Sequence, residues 1–342
     1  MVLFDFGVFG LALFFLVKSS DFFVEAAARL AKRFKISELV IGITIIAIGT
    51  SLPELTTSVL ASASGNSGIS VGNVVGSNIA NIGLILGFAA IFSTIKVGAV
   101  AFRRDAIFLF LVSLLFLLFA SDGLIDSTDS FVLLLFFTFY ITYLIGVLPG
   151  LTRRLHFRDF LAGNKHLNNV FGFDVHEEDY MEGQRETELK SSLMMDIMII
   201  ILSAVGILYG AKYLVSSAVN IALFFSVPDS FIALTMVSIG TSLPEFSVAA
   251  SCASRGLGNM ILGNVIGSNI ANTLLVTGLS GLANPLNISN VTINYTLPYM
   301  LVFTFFMLFL MRSDWNLTKK EGIFFLSLYA LFLGVFTFVM YW

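Results

Sequence analysis

Apolar residues along this chain fall in long unbroken runs, without the alternation of a half-buried strand or the narrow stripe of a surface helix. The runs cover roughly residues 4–17, 39–63, 70–94, 105–120, 131–149, 192–209, 231–253, 259–283, 297–311 and 322–341. Each is near the ~20 residues a bilayer-spanning helix needs, a few being shorter. The pattern predicts an all-α integral membrane fold with ten transmembrane helices. Composition agrees: of 342 residues, 57% are hydrophobic and 12% charged, about half the charged share of a soluble domain. The first run has no basic residue ahead of it and no small-residue cleavage site before the Lys18–Asp21 patch. It therefore reads as a retained helix and not as a signal peptide. Cys252 is the single cysteine, which excludes an intrachain disulfide and makes redox chemistry a poor candidate.

The net charge of −3 changes little; the placement of the basic residues changes more. Arg29, Lys32, Arg33 and Lys35 follow the first run, and Lys96, Arg103 and Arg104 follow the third. Arg153, Arg154, Arg158, Lys165, Arg185 and Lys190 follow the fifth, Arg255 the seventh, and Arg312, Lys319 and Lys320 the ninth. The alternate loops have none, and one of them carries Asp122, Asp126 and Asp129. By the positive-inside bias the basic side is cytoplasmic, so both termini are expected outside. Lys18 and Lys212 fall within helices 1 and 6.

Two of the runs are copies. Residues 40–87 and 231–278 align without a gap at an offset of 191, with 21 of 48 positions identical. "GTSLPE" stands at 49–54 and 240–245, and "GNVVGSNIAN" at 72–81 returns as "GNVIGSNIAN" at 263–272. Each copy belongs to a five-helix half, and an odd number of spans makes the second half enter the membrane inverted. Inverted repeats with a midplane substrate site are a transporter architecture. The expected organisation is a first repeat over 1–152, a linker over 153–190, and a second repeat over 191–342. The linker holds His156, His166 and His176 and an acidic run. It is too short for a second core and reads as a solvated cytoplasmic loop, with weak regulatory cation binding at Glu177, Glu178 and Asp179 as the less favoured reading.

The chemistry sits in the repeats. An acidic side chain near the middle of an apolar run is costly, on the order of 3 kcal/mol at the bilayer centre. Pro53 cannot donate to Gly49, so the helix is expected to break there, leaving carbonyls near Ala47 to Thr50 for a ligand. Thr50, Ser51 and Glu54 can gather around that break, and Ser77 and Asn81 share a face of the next helix. Gly72, Gly76, Gly83 and Gly87 permit close helix approach there. The second copy supplies Thr241, Ser242, Glu245, Ser268 and Asn272, with carbonyls near Ser238 to Thr241. All are oxygen donors, without cysteine or histidine, which suits Ca²⁺ or Na⁺ over zinc or copper. Two adjacent buried carboxylates cannot both stay ionised without counter-charge. One divalent cation supplies it, as would two monovalent ions or protons, and competition at one occluded site is what an antiporter needs.

A single Pro-kinked helix with one Glu is often merely structural; two copies at identical spacing, each followed by the same Ser/Asn helix, favour a site. Asp21 and Glu25 read as interfacial partners of Lys18 or Arg29, and Asp196 and Lys212 as interfacial too. Sequons at Asn287, Asn290 and Asn294 lie close to the membrane and are weak glycosylation signals.

At "GTSLPE…GNVVGSNIAN" and its second copy the sequence closely resembles the sodium/calcium exchanger branch of the cation/Ca²⁺ exchanger superfamily, in its compact prokaryotic form. The resemblance extends over the ten-helix plan. It implies Na⁺-driven Ca²⁺ transport, with Na⁺ and Ca²⁺ as substrates and neither a cofactor nor an obligatory protein partner. It also implies Glu54 and Glu245 as central Ca²⁺ ligands. Thr50, Ser51, Thr241, Ser242, Ser77 and Ser268 would line flanking Na⁺ sites with the carbonyls of Ala47 and Ser238, and Asn81 and Asn272 would complete the centre. In the family, helices 1 and 6 slide across the others as a gate. Some relatives, including the potassium-dependent exchangers, have Asp at the position of Asn272; Asn in both repeats argues against a potassium requirement. The proton/calcium branch usually has "GN" where "GT" stands here, so an H⁺/Ca²⁺ antiporter is the alternative. A passive channel or an intramembrane enzyme fits less well: the first needs a continuous pore, the second a nucleophile–base pair that the motif lacks.

Overall fold

The computed structural model describes residues 2–34, 36–146, 192–224 and 240–341. The 153–190 linker and Ser238 therefore lie outside the described residues. Helix α1 is Val2–Phe34, followed by the bent pair α2a, Glu38–Thr50, and α2b, Leu52–Ala63. Then come α3, Ser67–Phe92, α4, a π-helical Ala101–Ala106 running into Ile107–Ala120, and α5, Ser127–Gly146. The second half has α6, Leu193–Phe224, α7, Leu243–Ser254, α8, Gly258–Ala283, α9, Thr292–Asp314, and α10, Lys319–Tyr341. Seven of these helices are long and apolar enough to cross a membrane, and the α2a–α2b pair makes up to eight. Arg103, Arg104 and Asp105 lie in the first turns of α4, and residues 225–239, between α6 and Gly240, are not described.

Helices 1 and 6 depart from the expected lengths. Hydropathy ends the first run at the Lys18 patch and the sixth near 209, but α1 has 33 residues and α6 has 32. At 1.5 Å per residue each is about 50 Å long, well beyond the ~30 Å hydrocarbon core. The segment after Lys18 stays helical because it is amphipathic: Phe23, Val24, Ala26, Ala27, Leu30 and Ala31 are buried. Arg29, Lys32 and Arg33 thus belong to helix α1 and not to a loop. The two helices pack along each other, with Gly210 of α6 against the Leu16 backbone.

The centre of the molecule is α3 and α8. Of their most apolar windows 78% and 94% is buried, against 22–28% for the other long helices. Small residues set the contact. A Cβ on Gly263 would stand 2.4 Å from the Leu39 carbonyl, and one on Gly267 2.6 Å from Ile43 Cα. Glycine is required at such a backbone crossing. In the first repeat Gly87 lies close to the Gly322 carbonyl of α10, while Gly83 makes room for the Phe303 and Tyr329 side chains of α9 and α10.

Two short antiparallel ladders tie the loops. β1, Ile95–Lys96, pairs with β4, Asn316–Leu317, and β2, Leu124–Ile125, pairs with β3, Leu286–Asn287. The offset of 191 carries β1 onto β3 and β2 to within one residue of β4. β1 and β2 stand at opposite ends of α4, and β3 pairs with β2. Equivalent loops of the two repeats therefore lie at opposite ends of the helices.

Candidate cation site

The "GTSLPE" segments break their helices in the same way. Ser51 has φ −85° and ψ 10°, and Ser242 has φ −88° and ψ 5°, the sparsely populated bridge conformation often found at functional residues. Proline then opens a new helix at its first turn, where the missing N–H is harmless. The bend at Ser51 is 47°. Glu54 and Glu245 sit in the first turns of α2b and α7, where the positive end of the helix dipole favours a carboxylate. On α3 and α8 the π-helical turns Asn81–Leu86 and Ala271–Val276 begin at Asn81 and one residue before Asn272; π-bulges of this kind recur at functional sites.

The breaks meet across the repeat interface. Ser51 Oγ donates to Glu245 at 3.0 Å, and its counterpart Ser242 Oγ donates to Glu54 at 3.5 Å. Ser77 Oγ reaches Glu54 at 3.5 Å, and Ser242 reaches Ser77 at 3.2 Å. Both carboxylates are buried, as are Thr50, Ser51, Ser77, Asn81, Ser242, Ser268 and Asn272. A further set of oxygens has no hydrogen-bond partner: Glu54 Oε2, Glu245 Oε2, Asn81 Oδ1, Asn272 Oδ1 and Ser268 Oγ. Each such buried group costs about 1–3 kcal/mol when unpaired, and five oxygens in one pair of motifs are a donor set suited to a hard cation. Among the described residues no three or more His, Cys, Asp or Glu side chains gather in a way that could hold a metal ion, so the carboxylate pair with neutral oxygens is the donor set on offer. A cavity of about 200 Å³ lined by Ala80, Leu84, Ile85, Leu243 and Phe246 opens against Ser242.

Several sequence expectations change. The Ala47 carbonyl is not free: it accepts the Ser51 N–H at 3.0 Å and the Thr50 hydroxyl at 3.3 Å. Pro53 removes the donor that would reach Gly49, two residues further on, and leaves Ala47 its own. Asp21 bonds Ser251 at 2.7 Å and approaches Arg255 at 3.9 Å, in place of Lys18 or Arg29. Glu25 does pair with Arg29. Asp196 is fully buried, where its carboxylate takes Arg29 at 2.7 Å and Arg33 at 3.4 Å; it joins α6 to α1.

Polar residues outside the expected set complete the site's surroundings. Thr241 donates to Asn73 Oδ1 at 3.0 Å, and Thr50 to Asn264 Oδ1 at 3.4 Å. Asn81 donates to Asn269 at 2.9 Å, and Asn78 to Thr273 at 2.8 Å. Asn73/Asn264 and Asn78/Asn269 are identical in both copies, which was the available signal. Thr273 had none, since Ile82 is its counterpart.

Such an arrangement, buried helices broken around paired carboxylates, belongs to a polytopic helical membrane protein with two glutamates enclosed in its interior. The sodium/calcium exchanger protein family matches residues 4–146 and 195–338. Over 346 residues the chain is 36% identical to the sodium/calcium exchanger MaX1 of Methanosarcina acetivorans, covering 98% of this chain and 99% of that one. It is 32% identical over 274 residues to the inner membrane protein YrbG of Escherichia coli, covering 80% and 78% of the two chains. A solved structure of the sodium-calcium exchanger NCX_Mj, soaked with Na⁺ and Sr²⁺, superposes with a TM-score of 0.78 at 33% identity, covering 98% of this chain and 99% of that one. The chain belongs to the sodium/calcium exchanger protein family and is a transmembrane antiporter of that class.

Proposed function

We propose that this protein exchanges Na⁺ for Ca²⁺ by alternating access at one site between two inverted five-helix repeats, residues 1–152 and 191–342. The observation that carries this reading is the cross-linked pair Ser51–Glu245 and Ser242–Glu54, with an unpartnered oxygen left on each glutamate. Glu54 and Glu245 hold Ca²⁺ with Asn81 and Asn272; Thr50, Thr241, Ser51, Ser242, Ser77 and Ser268 add the oxygens that Na⁺ uses. One Ca²⁺ and more than one Na⁺ each satisfy two carboxylates, so either occupant excludes the other. The opposed ends of equivalent loops support the inverted plan. Ten spans, a cytoplasmic 153–190 linker and outward termini then follow from the basic-residue pattern. Asn at 272, as at 81, leaves only two carboxylates, so no potassium is required.

Glu54→Gln and Glu245→Gln test the site. Each removes half the charge that balances Ca²⁺, and each is expected to abolish Ca²⁺ uptake by proteoliposomes while the purified variant keeps the wild-type elution profile. Uptake at the wild-type rate by either folded variant would mean that the ion sits elsewhere.

A further inference from the structure

Four asparagines at the crossing of α3 and α8 form two pairs of repeat counterparts, and the pairs are held differently. The offset of 191 carries Asn78 onto Asn269 and Asn81 onto Asn272, and all four are buried. Asn269 Nδ2 donates to the Asn78 backbone carbonyl at 3.2 Å, and Asn269 Oδ1 accepts Asn81 Nδ2 at 2.9 Å. A backbone carbonyl can only accept, so it fixes which arm of the Asn269 amide is nitrogen and leaves the oxygen arm against Asn81. Asn81 must meet that oxygen with its own nitrogen, and Asn81 Oδ1 stays buried without a partner among the described residues. One backbone oxygen thus orients two amides in turn. The counterpart contact, Asn272 Nδ2 to Asn78 Oδ1, does not form: both atoms lack a partner among the described residues, as does Asn272 Oδ1. Asn78 turns its nitrogen instead to Thr273 Oγ1 at 2.8 Å and the Met300 sulfur at 3.5 Å. The first repeat has Ile82 where the second has Thr273, so the equivalent position offers Asn269 no hydroxyl.

A neutral amide coordinates a hard cation through its oxygen, and its N–H groups repel the ion, so a ligating asparagine must be turned the right way. We infer that Asn269 is a positioning residue that turns the Asn81 amide oxygen-first to the cation, while Asn272 enters the site with neither arm held. One half-site then offers a preset amide, and the other an amide that turns to suit its occupant. The inference rests on the proposed cation site, to which it adds an orienting residue outside the donor set and a built-in inequality between the half-sites.

The test is the apparent Ca²⁺ affinity of the full-length protein, titrated calorimetrically in detergent. Asn269→Ala is expected to weaken it by about 10- to 100-fold, the usual effect of removing a residue that orients a metal ligand. In an Asn81→Ala background, where no amide remains to orient, the same change is expected to add less than about twofold. Equal losses in both backgrounds, or no loss in the first, would overturn the inference. Asn78→Ala makes the same truncation at the counterpart position and is expected to leave the affinity near the wild-type value; a loss as large as that of Asn269→Ala would overturn the inequality. Asn269→Asp keeps the inference exposed if Asn269→Ala does not fold. Its side chain has nearly the same shape and sets an oxygen against Asn81 Nδ2 whichever arm faces it, so Ca²⁺ is expected to bind at least as tightly as in the wild type. A loss of about tenfold or more in that variant would overturn the positioning role. Binding lost in Glu54→Gln but indifferent to Asn269→Ala would overturn the positioning role alone. Saturable binding that survives Glu54→Gln would instead remove the underlying site.

Discussion

Replacing Gly267 by alanine should separate two helices that the site needs close together. The added Cβ would stand 2.6 Å from Ile43 Cα, 2.6 Å from the Ile43 carbonyl oxygen and 2.7 Å from Ala47 Cβ. Two of these neighbours are backbone atoms, so no side chain can swing aside. Restoring an ordinary contact of 3.4 Å requires α8 and α2a to part by about 0.8 Å. Overpacking of this kind costs about 1–3 kcal/mol. The same displacement carries Asn264, one turn away on α8, out of reach of Thr50, since their contact is already 3.4 Å. Thermal unfolding in detergent and Ca²⁺ uptake by proteoliposomes should both report the change: a lower midpoint and reduced uptake. Gly68→Ala is the control, because that glycine is exposed with nothing within 4 Å of an added Cβ. If Gly267→Ala melts and transports like Gly68→Ala, the tight crossing does not hold the site together.

Other perturbations follow from the same geometry. Asp196→Ala leaves Arg29 and Arg33 without the carboxylate that joins α6 to α1. Breaking a buried pair costs about 3–5 kcal/mol, and the lower end applies here because the two arginine side chains are 24% and 25% exposed; a melting curve like that of the wild type would discount the clamp. Asn272→Asp places a third carboxyl among the donors, so the pH or monovalent-ion dependence of Ca²⁺ uptake should change. Unchanged dependence would put Asn272 outside the site. Arg255→Ala removes the cation that approaches both Asp21 and Glu25, at 3.9 and 3.8 Å. These contacts are partly exposed and long, so a stability loss below about 1 kcal/mol is expected from chemical denaturation, and a larger one would reveal a tighter link between α1 and α7.

Much of this was legible in the sequence because duplication makes a weak signal strong. "GTSLPE" twice predicted two broken helices, and both break at the serine after the threonine with the same backbone angles. The membrane class came from long apolar runs, which lipid demands and soluble folds avoid. Hydropathy failed where helices continue beyond the apolar slab: α1 runs through the Lys18 patch to Phe34 because helix formation there rests on amphipathic packing. It also failed for Arg29 and Asp196, whose pairing spans 167 positions and leaves no local trace. The Ala47 carbonyl was misjudged by register, since a proline empties the carbonyl four residues before it and spares its neighbours. Asn73 and Asn264 were visible as repeated letters. Their partners were not, because only the folded interface shows that Asn73 meets Thr241 and Asn264 meets Thr50.

The central claim is that opposing Na⁺ and Ca²⁺ gradients are coupled at one two-carboxylate site. Its most direct test is Ca²⁺ uptake by proteoliposomes loaded with Na⁺ and diluted into Na⁺-free buffer, beside vesicles carrying only a pH gradient. The account predicts uptake that requires internal Na⁺, ignores the pH gradient and vanishes in Glu54→Gln. Uptake driven by the pH gradient alone would assign the coupling to protons, and uptake with neither gradient would contradict exchange altogether.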